Sequence, residues 1–319
     1  MRTPCLLALP LLLAGQAFAA DFEVVVDAGS TGTRVYEISE PGCGAPKVET
    51  LGKGGPLAST GDETLPDLLG ALAERHPEIQ DAQIRVIGTG GFRRLDGGSA
   101  QACGDACALK RDSVQAAARA RFPNVKLHVA TGVEEGQLSR LSVAAVTGDQ
   151  NAVTVEIGGA TVQAANPSES RMAAIGVKSL MPKLPACTAK GADFSACRAQ
   201  LADALGRDED ASRLLETPTN GATVVGVGGV FANMARMLGS RDVTQNAVDA
   251  LGRRVCPAGD GFDAKYKDQA CTQLALASIL VERFGISRLE DVSLEIGAAL
   301  ERTDDLGASP IVEACAARR

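Results

Sequence analysis

Two glycine-rich turns constrain this chain more than any other feature. The first lies in Val24–Ile38, VVVDAGSTGTRVYEI, and the second in Val153–Ala165, VTVEIGGATVQAA. In each, a β-rich apolar run ends in an acid, Asp27 or Glu156. It then passes through small residues and hydroxyls and returns as a second apolar run. Such runs around a Gly turn read as β-hairpins. Each hairpin is followed by helical and strand-like stretches. Two similar α/β halves imply two lobes with a cleft between them.

The rest of the chain fits that outline. Strands are expected at 21–27, 34–39, 84–87, 125–129, 153–157, 161–165 and 223–227. A helix is expected at 62–75, where Leu65, Leu68, Leu69 and Leu72 share a face. Further helices are expected at 110–121, 133–146, 230–238, 244–253, 264–284 and 293–302. Residues 173–183 lead into a short helix, and 187–220 is helical, polar and bracketed by cysteines.

The first twenty residues carry a different signal. Met1-Arg2 is a short positive start, Leu6–Leu13 is apolar but broken by Pro10, and Ala17-Phe18-Ala19 is a small-x-small site. This pattern predicts a cleaved signal peptide over 1–20. The mature chain would be periplasmic or secreted, with no membrane attachment, since the apolar run is too short to anchor it. Past Cys5 the chain has eight cysteines, an even number that reads as disulfides in an exported protein. Short loops favour Cys103–Cys107, Cys187–Cys197 and Cys256–Cys271, leaving Cys43–Cys315 to tie the ends together. Zinc is disfavoured by the lack of paired C-x-x-C spacings and by a total of two histidines.

Charge narrows the partners. The formal net charge is −7 and no basic run exists, which argues against general nucleic-acid binding. If the chain binds phosphate, the positive potential must be local. The turn Asp27-Ala28-Gly29-Ser30-Thr31-Gly32-Thr33-Arg34 could supply it. Its N–H groups could form an anion nest, its hydroxyls could donate, and Arg34 could neutralise a phosphate. Glycine at 29 and 32 would permit positive φ and close approach of backbone to a ligand. Taken alone, the same stretch is equally an ordinary hairpin turn. The second turn, with Glu156, Gly158, Gly159, Ala160, Thr161 and Gln163, shifts the balance by repeating the design. Gly88-Thr89-Gly90-Gly91-Phe92-Arg93-Arg94 adds a hydroxyl and arginines at the C-terminal end of a strand, where α/β clefts bind ligands. Thr131-Gly132-Val133-Glu134-Glu135-Gly136 offers two acids at a helix start, either dipole partners or a general base. Gly226-Val227-Gly228-Gly229 opens another helix, and reads as close strand–helix packing or as a donor turn.

Taken in order, DAGSTGTR (27–34), GTGGFR (88–93), GVEEG (132–136) and EIGGATVQ (156–163) resemble the ecto-apyrases, the nucleoside triphosphate diphosphohydrolases. DVSLEIGAAL (291–300) is a fainter fifth match. The resemblance implies an α/β fold of two actin-like (ribonuclease H-like) lobes, with mixed sheets flanked by helices and an active site in the cleft. Lobe I would take 21–131 plus 288–319, and lobe II 132–287. Asp27 and Glu156 would hold a hydrated Mg2+ or Ca2+. Ser30, Thr31, Gly32, Thr33, Arg34, Thr89, Arg93, Gly159 and Ala160 would bind phosphate. Glu135 would be the catalytic base, with Thr161 and Gln163 positioning water for in-line attack on the terminal phosphate of a nucleoside tri- or diphosphate. Several positions depart from the family pattern: Glu156 stands for the usual Asp, Gly88 and Gly90 for Ala, and Leu294 for a Trp. A chain with no Trp and two Tyr also offers little for base stacking. The nearest rival is the exopolyphosphatase and guanosine pentaphosphate phosphatase branch of the same superfold. A rival of another class is a catalytically weak phosphate- or nucleotide-binding protein.

Overall fold

The computed structural model describes residues 22–39, 46–96, 102–189, 191–262, 264–292 and 294–300. Ten strands form two five-stranded sheets. The first sheet contains β1 (Phe22–Ala28), β2 (Thr33–Ser39), β3 (Lys47–Gly54), β4 (Ile84–Gly88) and β5 (Val125–Val129), in the order β3-β2-β1-β4-β5. The second contains β6 (Val153–Ile157), β7 (Val162–Ala165), β8 (Ser170–Ala173), β9 (Val224–Val227) and β10 (Arg288–Leu289), in the order β8-β7-β6-β9-β10. Position by position the two orders are the same. Each sheet has an antiparallel meander of three strands, then two strands parallel to the first. The repeat seen as two short motifs is thus a repeat of a whole sheet.

Helices cover these sheets. They are α1 (Thr64–Ala73), α2 (Gly90–Arg93), α3 (Asp105–Arg119), α4 (Gly132–Thr147), α5 (Val177–Leu180), α6 (Pro185–Thr188), α7 (Phe194–Gly206), α8 (Glu209–Leu215), α9 (Gly229–Leu238), α10 (Gln245–Val255), α11 (Ala270–Phe284) and α12 (Glu295–Leu300). The period-2 geometry of a strand splits β1 between two cores. Val24, Val26 and Ala28 face the side of Leu65, Leu69 and Val114 from α1 and α3. Val25 faces the other way, toward Tyr36, Ile87, Leu138 and Ile296, where α12 and α4 pack. A central strand covered on both faces reads as a continuous apolar run, which is why residues 24–26 are all Val. The second lobe has one large core around α11, with Leu276, Ala277 and Leu280 fully buried.

Two features carry the chain between lobes. The capping box at Thr131 starts α4: its Oγ1 accepts from Glu134 N–H, while Glu134 Oε2 accepts from Thr131 N–H at 2.7 Å. Near the chain's end, α12 crosses α4 so closely that a carbon added to Gly297 would lie 2.0 Å from the Leu138 carbonyl oxygen. Only glycine fits there, and Gly297 N–H donates to Ser142 Oγ at 2.8 Å. Beneath the first sheet the buried Glu23–Arg85 pair adds a tie, with Arg85 also donating to the Ala298 carbonyl at 3.3 Å.

Sequence expectation and structure differ at several elements. Strand β3 was not expected, because KVETLGKG carries three charged residues and buries only Leu51. It is an edge strand, where charge is tolerated and protects against further pairing. The helix expected over 264–284 begins as a 3-10 turn, Ala264–Gln269, before α11. Arg288–Leu289 pairs with β9 in the second sheet, so the return toward the first sheet comes after the boundary expected at 287. The bridges Cys103–Cys107, Cys187–Cys197 and Cys256–Cys271 are present, with Cα separations of 5.3, 4.6 and 4.5 Å. The Cys43–Cys315 pair and the segment 1–20 lie outside the described residues. Among the described residues no helix is long and apolar enough to cross a membrane.

Candidate active site

The two glycine turns are built alike, atom for atom where it matters. Gly29 N–H donates to the Gly32 carbonyl at 3.0 Å, and Gly158 N–H donates to the Thr161 carbonyl at 2.8 Å. Both bonds sit at the same offset from the strand-end acid. Across the hairpins, Asp27 pairs with Arg34 and Glu156 pairs with Gln163. None of Gly29, Gly32, Gly158 or Gly159 has positive φ. The conformational freedom expected of them is therefore unused, and their lack of a side chain serves close approach instead.

The turns meet. A carbon added to Gly159 would lie 3.0 Å from Ser30 Oγ and 3.2 Å from Thr31 Cγ2. The third loop joins them through α2. A carbon on Gly91 would lie 3.0 Å from Ser30 Cα, and one on Gly90 3.1 Å from Ala160 Cβ. Ser30, Thr31, Gly159, Ala160 and Thr161 thus converge, as the two-lobe reading requires. Other expected phosphate ligands are turned elsewhere. Thr33 is buried and its Oγ1 donates to the Gly55 carbonyl at 2.7 Å. Thr89 is buried, with its Oγ1 3.5 Å and its N–H 3.2 Å from the Ala28 carbonyl that accepts from both, which pins α2 to the end of β1.

Helix α4 separates the two candidate bases. Glu134 is spent on the capping box, and its carboxylate also lies 3.4 Å from His128 Nε2. Glu135 points inward and is nearly buried, with Oε2 accepting from Arg93 at 2.8 Å. Arg93 is fully buried and also donates to the Ala130 carbonyl. A buried guanidinium clamped to a carboxylate and a carbonyl is a positioning group, so Arg93 stands behind Glu135 and not on the phosphate path expected for it.

One turn along α4, Ser139 donates to Glu156 Oε2, and both residues are buried. Gly228, at φ +84°, makes room for the longer acid: a carbon there would lie 3.0 Å from Glu156 Oε1. The same turn reaches the first loop, since a carbon on Gly229 would lie 3.6 Å from an Arg34 guanidinium nitrogen. Gln163 donates from Nε2 to Thr161 Oγ1 at 2.7 Å, while its Oε1 is buried without a hydrogen-bond partner. A carbon on Gly136, next to Glu135, would lie 3.3 Å from Gln163 Cβ and 2.3 Å from Ser170 Oγ, a second buried oxygen without a partner. Orphaned oxygens beside the candidate base are places where water fits.

Electrostatics draw in residues that the motifs did not name. Burial pushes the Asp27 carboxyl up to about 7; Arg34 opposes this, while Glu295 and Glu135 add to it. Burial, Glu295 and Asp27 likewise hold the Tyr36 phenol protonated. Glu295, buried at the start of α12, is thus part of the site. Sequence reading passed over it because it follows the Trp-to-Leu change at Leu294.

The donors facing the cleft are carboxylates, an amide and hydroxyls, an oxygen-only set suited to Mg2+ or Ca2+. Among the described residues no three His, Cys, Asp or Glu side chains are grouped to ligate a metal directly. This donor set fits a cation that keeps most of its water.

Two sheets of matched order, with glycine hairpins facing across a cleft, define the actin-like ATPase fold. Solved structures with this fold resemble the chain over most of its length. The PPX-GPPA enzyme of Aquifex aeolicus is 14% identical with a TM-score of 0.63, over 86% of this chain and 97% of its own. An exopolyphosphatase from Cytophaga hutchinsonii is 15% identical with a TM-score of 0.63, over 86% and 96%. An exopolyphosphatase-like protein is 16% identical with a TM-score of 0.58, over 88% and 98%. At such identities the likeness is one of fold. The sequence matches no family profile and no curated protein. The ecto-apyrase resemblance therefore rests on the motifs, while the structural likenesses fall on the rival branch.

Proposed function

We propose that this chain hydrolyses terminal phosphoric anhydride bonds, with linear polyphosphate as its first substrate class. The carrying observation is the contact of Gly159 with Ser30 and Thr31, which sets two loops of one design against each other beside Glu135. Ser30, Thr31 and the Gly159-Ala160 backbone would hold phosphate, with Arg34 neutralising its charge. Gln163, with its orphaned Oε1, and Thr161 would hold the attacking water. Glu135 Oε1 or Oε2, fixed by Arg93, would take the proton as water attacks phosphorus in line. A divalent cation, held near Asp27 and Glu156, would neutralise charge on the phosphate oxygens.

Polyphosphate is placed first for two reasons. The fold is that of proteins named as exopolyphosphatases. In addition, a chain with no Trp and two Tyr has little to stack against a base. Hydrolysis of nucleoside tri- and diphosphates is the second reading, favoured by the GTR ending of the first loop. Three disulfides favour an oxidising compartment, in keeping with export. Phosphate release by the purified mature protein from polyphosphate, ATP, ADP and GTP, with Mg2+ or Ca2+, is the test. Cation-dependent release from polyphosphate is expected. Faster release from ATP and ADP moves the second reading ahead. Binding without release from any substrate makes the chain a binding protein and overturns the hydrolase.

A further inference from the structure

The site is short of cations for the substrate it would hold. Asp27, Glu135, Glu156 and Glu295 all lie at it, in a chain of net charge −7. Arg93 is engaged with Glu135 and has no exposed surface. That leaves Arg34 on the first loop. The second loop, built to the same plan, has Gln163 where the first has Arg34.

Lys178 stands where the missing charge is needed. The segment before and into α5 straps down the second loop through successive backbone bonds. Gly176, Val177 and Lys178 N–H donate to the carbonyls of Ala160, Gly158 and Gly159 at 3.0, 3.2 and 2.8 Å. Ser179 Oγ adds a bond to the Ala160 carbonyl at 3.1 Å. The backbone at 178 is therefore as fixed as the loop itself. Its side chain runs beside Gly159: the carbon position 3.0 Å from Ser30 Oγ is also 3.7 Å from Lys178 Cδ. The ammonium lies two bonds further on. Lys178 is exposed and has no ion-pair partner among the described residues.

We infer that Lys178 is a substrate-binding cation of the second loop, which takes a phosphate of a polyphosphate chain bound alongside the junction of Gly159 and Ser30. This rests on the hydrolase reading above. A lysine suits the role as a compact point charge on a flexible stem, able to follow a chain that shortens as it is cut.

Two measurements test it on the mature protein: calorimetric binding of imidodiphosphate, whose P–N–P bridge resists hydrolysis, and steady-state hydrolysis of tripolyphosphate, both with Mg2+. Loss of one charge-assisted contact should weaken imidodiphosphate binding and raise KM about tenfold in Lys178→Ala, with kcat within about a factor of two. Lys178→Arg should restore most of both. The melting temperature should not move, because the side chain is exposed. Unchanged binding and KM in Lys178→Ala, with an active wild type, would sink Lys178 alone. A fall in kcat at constant KM would also overturn it, since it would make Lys178 something other than a binding residue. A wild type that neither binds nor hydrolyses either compound overturns the hydrolase reading and this one together.

Discussion

The two loops share one backbone and differ in what they offer. In the first lobe the strand-end acid, Asp27, faces a cation, Arg34, across the hairpin. In the second, Glu156 faces a neutral amide, Gln163. Asp27 lies among charges, with Arg34, Glu135 and Glu295 all acting on it. Glu156 is buried, with Ser139 donating to its carboxylate. On the proposed function, duplicated geometry with diverged side chains would divide the labour: the first loop would manage charge, and the second water. The proposed base, Glu135, lies on α4 and is clamped by Arg93 from the first lobe.

The largest effect should come from removing the group that the two loops share. Glu135→Gln should lower kcat by about 10²–10⁴-fold with KM little changed, measured by phosphate release. Gln163→Ala should sharpen the contrast between the loops. Water left unoriented costs on the order of 10²-fold in kcat, without a matching rise in KM. Arg34→Ala should do the reverse, raising KM roughly 10- to 100-fold as a charge-assisted contact to phosphate is lost. If both variants changed the same parameter, the division of labour would be broken. Ser139→Ala should cost about 1–3 kcal/mol in urea unfolding by removing a buried hydrogen bond to a carboxylate.

The smallest effect concerns pH. The folded Asp27 carboxyl binds its proton more tightly than the unfolded one, at about 7 against 3.8. Metal-free stability should therefore fall as pH rises from about 4 to about 7 and then level off. Asp27→Asn removes that fall. In EDTA its melting temperature should exceed wild type above pH 7 and match it below pH 4. The gain should be less than full linkage implies, because Asp27 is only half-buried. An equal fall in wild type and variant would remove Asp27 as its source.

Much of the fold could be read along the chain. The run Val24–Val26 announces a strand covered on both faces, and Leu65, Leu69 and Leu72 announce a helix with one buried stripe, because both patterns are local consequences of backbone period. Strand β3 was illegible because an edge strand needs little apolar surface. Strand β10 was illegible because two residues carry no period. At the site, the motif acids and hydroxyls were legible by type. Their duties were not: Thr33 and Thr89 look like phosphate donors in sequence, yet both serve backbone carbonyls. Ser139 and Lys178 had no motif to mark them, and Gly228 and Glu295 lay in stretches that did not reveal their part, since each of the four matters through a neighbour distant in sequence.

The sequence by itself determined two hairpins of matching design and their acids, and short spacing favoured the cysteine pairs Cys103–Cys107, Cys187–Cys197 and Cys256–Cys271 that the structure shows. These depend on spacing within short segments, where local chemistry leaves few choices. Only the tertiary structure decided which of Glu134 and Glu135 faces inward, that Arg93 clamps Glu135, and that Glu156 is accommodated by Ser139 and Gly228. Each of these is a choice of partner among residues that chain length sets far apart. Packing of α4 makes that choice by turning inward the face that carries Glu135 and Ser139, one turn apart, so that one reaches Arg93 and the other Glu156.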